Sequence, residues 1–191
     1  MALQFEIMPV TPFRQNCTLL WDDESGQAVL TDVVTHGHLD HAGGVADLLK
    51  QQAAPVWGPH ADDGYLLESL PQTTASYASY GFPIAEAFVP DGWLSEGGKL
   101  KVGAYEFDVL HIPGHTPGHV VFYCAAEKLL IAGDVLFYES IGRTDFPRGN
   151  HADLISNITG KLLVLPEDTR VIPGHGRMTT IGHEKRHNPF L

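Results

Sequence analysis

Four stretches of this chain follow one plan, in which a short apolar run leads into a glycine-marked turn carrying histidine or aspartate. They are Val33-Val34-Thr35-His36-Gly37-His38, the turn Pro113-Gly114-His115-Thr116-Pro117-Gly118-His119, Ile131-Ala132-Gly133-Asp134, and Ile172-Pro173-Gly174-His175-Gly176. Binding loops gather at strand ends on a rigid scaffold, and glycine leaves room for close approach to an ion or substrate. A fold that satisfies all four must be built on sheets.

The first stretch is the densest. In Thr35-His36-Gly37-His38-Leu39-Asp40-His41, four metal-ligand side chains fall within six residues. His36 and His38, two apart after a strand, can turn toward one ion while Asp40 and His41 continue toward a second. Imidazole with carboxylate suits zinc, iron or manganese. A lone His-x-His would read as a polar loop; the added Asp-His favours a metal site.

The size of the chain, 191 residues, is that of one domain with a substantial core. With 43% hydrophobic and 18% charged residues it reads as globular rather than disordered. No apolar run approaches the roughly 20 residues of a membrane helix, and the start has neither the basic nor the apolar part of a signal peptide, so a cytoplasmic location is expected. A net charge of -11 with no Lys/Arg cluster argues against a nucleic-acid partner. Cys17 and Cys124, each in a strand-like run, read as buried thiols.

In chain order, alternation at Leu3, Phe5 and Ile7, then 16–21 and 27–31, predicts an antiparallel opening of short strands. Ala28-Val29-Leu30-Thr31-Asp32 then reads as one strand and Val33-Val34-Thr35 as the end of another, with nothing between. Parallel strands of one sheet require a crossover of a dozen or more residues. Either 28–35 is a single strand, or a crossover is absent between Asp32 and Val33, and the crossover requirement favours the second. Helices are predicted over 42–52, 61–70 and 152–165, with one or two turns over 181–186. A short buried strand is expected at 55–58 and a long surface connection at 73–90. Strands at 100–102, 105–111, 120–124 and 129–132 form a second, meandering sheet, and 170–172 is a last strand. No repeat or linker is visible, so residues 1–191 form a single domain.

The His-x-His-x-Asp-His loop with the three later turns resembles the metallo-β-lactamase superfamily. The strings Gly142-Arg143-Thr144-Asp145-Phe146-Pro147-Arg148-Gly149 and Asn188-Pro189-Phe190-Leu191 are similar to its glyoxalase II branch, the hydroxyacylglutathione hydrolases, in the short single-domain bacterial form. The resemblance implies an α/β fold, an αββα sandwich of two mixed sheets with helices on the outer faces. It places His36, His38 and His115 on one ion, Asp40, His41 and His175 on another, and Asp134 between them. It implies two divalent metal ions, zinc first, with iron or manganese compatible. The chain departs from the longer glyoxalase II enzymes in lacking their C-terminal helical glutathione domain.

On that resemblance the expected reaction is hydrolysis of an S-2-hydroxyacylglutathione thioester, such as S-D-lactoylglutathione, by a metal-bridging hydroxide, with Asp40 managing a proton. Arg143 and Arg148 are candidates for a substrate carboxylate, which guanidinium suits. Among the remaining histidines (His60, His111, His119, His151, His183 and His187), His119 is the candidate for orienting a ligand; the rest read as structural. The rival enzyme is a mononuclear iron persulfide dioxygenase, and the rival of another class is a non-catalytic metal-binding fold. The oligomeric state is open.

Overall fold

Strands at one end of the larger sheet determine where everything else sits. The computed structural model of the chain describes residues 2–32 and 34–191. The chain opens with β1 (Leu3–Val10), β2 (Gln15–Asp22) and β3 (Ala28–Thr31), a three-stranded antiparallel sheet in the order β1-β2-β3. A helical segment follows: α1 (Leu39–Ala42), α2 (Val45–Gln51), α3 (Gly64–Glu68) and α4 (Leu70–Ser76). The second sheet is built from β4 (Lys99–Val102), β5 (Tyr105–His111), β6 (Val120–Cys124) and β7 (Leu129–Gly133). After the small hairpin β8 (Leu136–Phe137) and β9 (Ser140–Ile141) comes α5 (His151–Asn157), then β10 (Arg170–Pro173), β11 (Thr179–Thr180) and α6 (Ile181–His187). The order of the larger sheet is β11-β10-β7-β6-β5-β4, antiparallel except where β10 lies parallel to β7.

Period-two alternation sends successive side chains of a strand to opposite faces. In β6, Val120, Phe122 and Cys124 enter the core between the two sheets, with Leu20 and, from the smaller sheet, the partly buried Phe5 and Val29. Val121 and Tyr123 face the other way, into a core closed by Leu154, Ile158, Leu162 and Ile181 from α5, the turn after it and α6. The sandwich with outer helices is therefore present. Among the described residues the smaller sheet is antiparallel throughout, and the mixed pairing belongs to the larger one. A third, small core gathers Leu39, Leu67, Leu70, Phe82 and Ala85 under α1, α3 and α4.

Several sequence expectations shift. The helix predicted over 42–52 is broken at Gly43-Gly44 into α1 and α2. A Cβ at Gly43 would lie 2.4 Å from the Leu39 carbonyl oxygen, so the close turn there requires glycine. The strand expected at 55–58 is reduced to a single bridge from Trp57 to Gly92, with Trp57 half exposed. The connection expected at 73–90 is part helix, through Ser76, and buries Phe82 and Ala85. The helix at 152–165 widens into a π turn over Ile158–Leu162. Cys17 is only half buried, while Cys124 is buried; both are unpaired. Asp32 directly follows β3, buried and in the left-handed region, at φ 65°. The expected junction between Asp32 and Val33 falls at Val33, outside the described residues. No helix among them is long and apolar enough to cross a membrane.

Candidate metal centre

The sheet topology brings three of the four glycine-marked turns to one edge. Because β10 runs parallel to β7, their C-terminal ends are neighbours, and the Gly174 amide donates to the Gly133 carbonyl at 2.7 Å. Asp134 and His175 follow those two ends directly. Strand β6 is antiparallel to β7, so its beginning lies at that same edge, and the β5–β6 turn carrying His115 opens there. The fourth turn is pinned by the Val120 amide, which donates to the Thr35 carbonyl at 2.8 Å.

All seven expected residues, His36, His38, Asp40, His41, His115, Asp134 and His175, meet at this edge. Ligand atoms of His36, His38 and His115 lie within 4.8 Å of one another, as do those of Asp40, His41 and His175, and those of His36, His41 and Asp134. His38 Nδ1 is 3.0 Å from both His36 Nε2 and His115 Nε2. Asp134 Oδ2 is 3.6 Å from His115 Nε2 and 3.6 Å from His175 Nε2, and Asp134 Oδ1 is 3.3 Å from His41 Nε2. His175 Nε2 meets Asp40 Oδ2 at 3.1 Å. Two donors each about 2.0–2.1 Å from one tetrahedral ion stand about 3.3–3.4 Å apart, which is the spacing seen here.

The outer nitrogens decide which way the lone pairs face. His41 Nδ1 donates to the Asp32 carbonyl at 2.6 Å, His115 Nδ1 to the Arg143 carbonyl at 2.6 Å, and His175 Nδ1 to the Phe13 carbonyl at 3.1 Å. A carbonyl can only accept, so each Nδ1 carries a proton, and each ring, on giving up any proton at Nε2 to a cation, turns that lone pair inward. His41 Nε2 and Asp134 Oδ1 are buried without a hydrogen-bond partner. Buried polar atoms are rarely left so, and a cation between the two groups would engage both. The residues present fit such ions.

Burial holds His36 and His115 below the usual imidazole range and takes His38 down to about 3, so these three are neutral and ready to donate lone pairs. Burial also opposes ionisation of Asp134, but the histidines around it outweigh that and keep its carboxyl ionised. For His41 burial opposes the charge too, and Asp134 outweighs it, pushing the ring up to about 9.

His119 is fully buried, stacks on the His36 ring at 4.7 Å and accepts the Asp134 amide at its Nε2, 3.0 Å away. The loop after β9 covers the site from one side: the Phe146 ring lies 4.7 Å from His38 and 5.6 Å from His115. Arg143 pairs with Asp145 through two contacts, at 3.0 and 2.8 Å. Arg148 lies over the Tyr65 ring at 4.7 Å.

One residue escaped the sequence reading. Asp63 is completely buried and accepts from the Gly37 amide at 2.9 Å, the Thr116 hydroxyl at 2.7 Å and the Gly118 amide at 2.6 Å. It thereby ties the His36–His38 turn to the His115–His119 turn. Nothing in Asp62-Asp63-Gly64 marks it in sequence, since such a string reads as a helix start or a turn.

The family described as the metallo-beta-lactamase superfamily matches residues 28–175. The chain belongs to that superfamily. A hydroxyacylglutathione hydrolase of Haemophilus influenzae, GloC, is 44% identical over 211 residues, covering 99% of this chain and 98% of the relative. That stretch exceeds the 191 residues of this superfamily member, so the relative carries about twenty internal residues with no counterpart here. The crystal structure of the BLEG-1 B3 metallo-beta-lactamase superposes with a TM-score of 0.86 at 37% identity, covering 98% of this chain and 99% of that one. TTHA1623 in a di-iron-bound form superposes with a TM-score of 0.80 at 34% identity, covering 97% and 100%. The His/Asp groups and the metallo-hydrolase family together imply divalent metal ions.

Proposed function

We propose that this protein hydrolyses S-2-hydroxyacylglutathione thioesters, S-D-lactoylglutathione among them, at a dinuclear centre. His36, His38 and His115 would hold one cation, Asp40, His41 and His175 the other, and Asp134 would serve both. The observation that carries the two-ion reading is Asp134 Oδ2, placed 3.6 Å from a histidine of each group. The thioester rests on the likeness to GloC, which spans nearly the whole of both chains.

Bound divalent cations supply Lewis acidity and a water whose pKa falls toward about 7. The chain supplies the rest. Carbonyl acceptors behind His41, His115 and His175 fix the rings. Asp40 Oδ2 lies 3.1 Å from His175 Nε2, where both would face the same cation, which leaves Oδ1 to take a proton from the attacking water and return it to the departing thiolate. Phe146, against His38 and His115, excludes water from one side of the reacting carbonyl. Arg148 is our choice for the substrate carboxylate, because Arg143 already has Asp145. Imidazole and carboxylate donors accept zinc, iron and manganese; zinc is our first choice, and the di-iron form of TTHA1623 makes iron the natural comparison. Two unpaired thiols fit the reducing, glutathione-containing cytoplasm.

The likeness to BLEG-1 supports β-lactam hydrolysis as a second reading. A mononuclear dioxygenase would leave Asp40, His41 and His175 without an ion to hold. The test is a panel of S-D-lactoylglutathione, other acyl-glutathiones, β-lactams and glutathione persulfide, run on zinc-loaded and iron-loaded protein with His36→Ala as control. Thioester hydrolysis abolished by the substitution supports the proposal. Turnover of β-lactams alone, oxygen uptake with the persulfide, or no turnover at all would sink it.

A further inference from the structure

Two histidines that read as structural in the sequence, His60 and His111, meet behind the β5–β6 turn. His60 precedes the helical turn Ala61–Asp63, and His111 is the last residue of β5. Both are tied to the turn that carries His115: the His60 amide donates to the Gly118 carbonyl at 3.0 Å, and His111 Nε2 donates to the Pro117 carbonyl at 2.8 Å. The two rings stack, with centroids 4.1 Å apart and planes at 15°. Ligand atoms of His60, Asp62 and His111 lie within 4.8 Å of one another, and among the described residues this is the one such group apart from the seven at the metal centre.

The hydrogen bonds leave these groups poised for a cation. Because the Pro117 carbonyl fixes the proton of His111 on Nε2, and burial holds the ring below the usual imidazole range, Nδ1 keeps its lone pair. A carbonyl behind the ring is also how His41, His115 and His175 are oriented. His60 Nδ1 accepts the Asp62 amide at 3.2 Å and also faces Asp62 Oδ2 at 3.3 Å. One nitrogen cannot accept from the amide and donate to the carboxylate, so two acceptors stand together with no proton between them. Their spacing is that of two donors on one tetrahedral ion. The neighbouring cations do not relieve the contact: Arg148 donates to the Asp62 backbone carbonyl, and Lys161 to Glu96 and the His111 carbonyl. Lone pairs lie in the ring planes, so stacked rings cannot both aim at one ion. His111 is held by Pro117, whereas His60 Nε2 has no partner among the described residues, which makes His60 the ring that turns.

We propose that His60 Nδ1, Asp62 Oδ2 and His111 Nδ1 bind a further divalent cation, of the borderline class to which zinc belongs, separate from the metal centre. The Asp62 carboxylate is half exposed, so water completes the coordination from the open side. The ion acts as a clip: it fastens the segment that leads into Asp63 to the end of β5, and so braces the His115 turn from behind. The proposal is independent of the substrate and of the number of ions at the metal centre.

The probe is zinc itself, titrated into the full metal-loaded protein in competition with a chromophoric chelator. The parent should take up one zinc per chain more than His60→Gln, and its Tm should rise by several degrees as that ion binds, a rise that His60→Gln should lack. Asp62→Asn, which changes an exposed side chain, should weaken the extra ion roughly tenfold or more. His111→Gln, which keeps a donor for the Pro117 carbonyl, should abolish it. An equal zinc count in the parent and in His60→Gln overturns the proposal. So does an extra ion that survives His60→Gln and disappears in His183→Ala, because the holders would then be His183 and His187, whose rings stand 4.7 Å apart on α6.

Discussion

Replacing Asp63 by asparagine tests whether the two histidine turns are held by one buried carboxylate. Both oxygens are used, Oδ2 by the Gly37 amide and the Thr116 hydroxyl and Oδ1 by the Gly118 amide, at 2.6–2.9 Å. Burial pushes this carboxyl up and its three donors pull it back; because every partner donates, only the ionised form satisfies them all. Asparagine keeps one acceptor and turns an NH₂ toward a peptide N–H, so one bond is lost and two donors are opposed. A stranded buried group costs about 1–3 kcal/mol, which puts the loss at roughly 2–3 kcal/mol. For a chain of this size that is a fall in Tm of roughly 4–12 °C. Residues that orient ligands typically contribute 10- to 100-fold to metal affinity, and the same fall is expected here. Thermal unfolding of chelator-stripped protein gives the first quantity and competition with a chromophoric chelator gives the second. If Asp63→Asn lowered the Tm yet bound metal as tightly as the parent, the tie would be scaffolding alone; if neither changed, the hydrogen-bond account would be wrong.

Gly174→Ala should impair the Asp40–His41–His175 group selectively, because its Cβ would fall 2.2 Å from Asp134 Oδ1 and 3.0 Å from His41 Cε1; metal analysis should show a drop from two ions per chain toward one. Asp32→Asn should stabilise the metal-stripped protein as pH rises. Burial lifts this carboxyl from 3.8 to about 7, so its folded state favours the proton: the contribution of this one group is fully present below pH 4 and is lost as pH rises through 7, by up to roughly 4 kcal/mol. Asparagine also tolerates the left-handed backbone at this position. Urea midpoints of the two proteins should converge at pH 4 and separate by pH 8, and parallel curves would refute the assignment. Arg148→Ala should raise KM for a glutathione thioester roughly 10- to 100-fold, the equivalent of one charged hydrogen bond, and leave kcat nearly unchanged; Arg143→Ala should do less, since Asp145 already occupies that guanidinium. Equal KM values for the parent and both variants would remove the loop from substrate binding.

Chemistry in this chain is local and was legible in the linear order. A His-x-His-x-Asp-His string needs no tertiary information to suggest ions, and strands that end in glycine followed by histidine or aspartate announce a shared rim. The alternation in β6 and β7 likewise declares two buried faces, hence a sheet with a core on both sides. What the tertiary structure decided is everything that depends on residues far apart meeting. Parallel pairing of β10 with β7 sets Asp134 beside His175, and Asp134 Oδ2 becomes the atom equidistant from the two groups. Backbone carbonyls of Phe13, Asp32 and Arg143 choose the tautomers, and a carbonyl has no signature in sequence because every residue carries one. Asp63 acts on turns 26 and 55 residues away, a reach that no local pattern encodes.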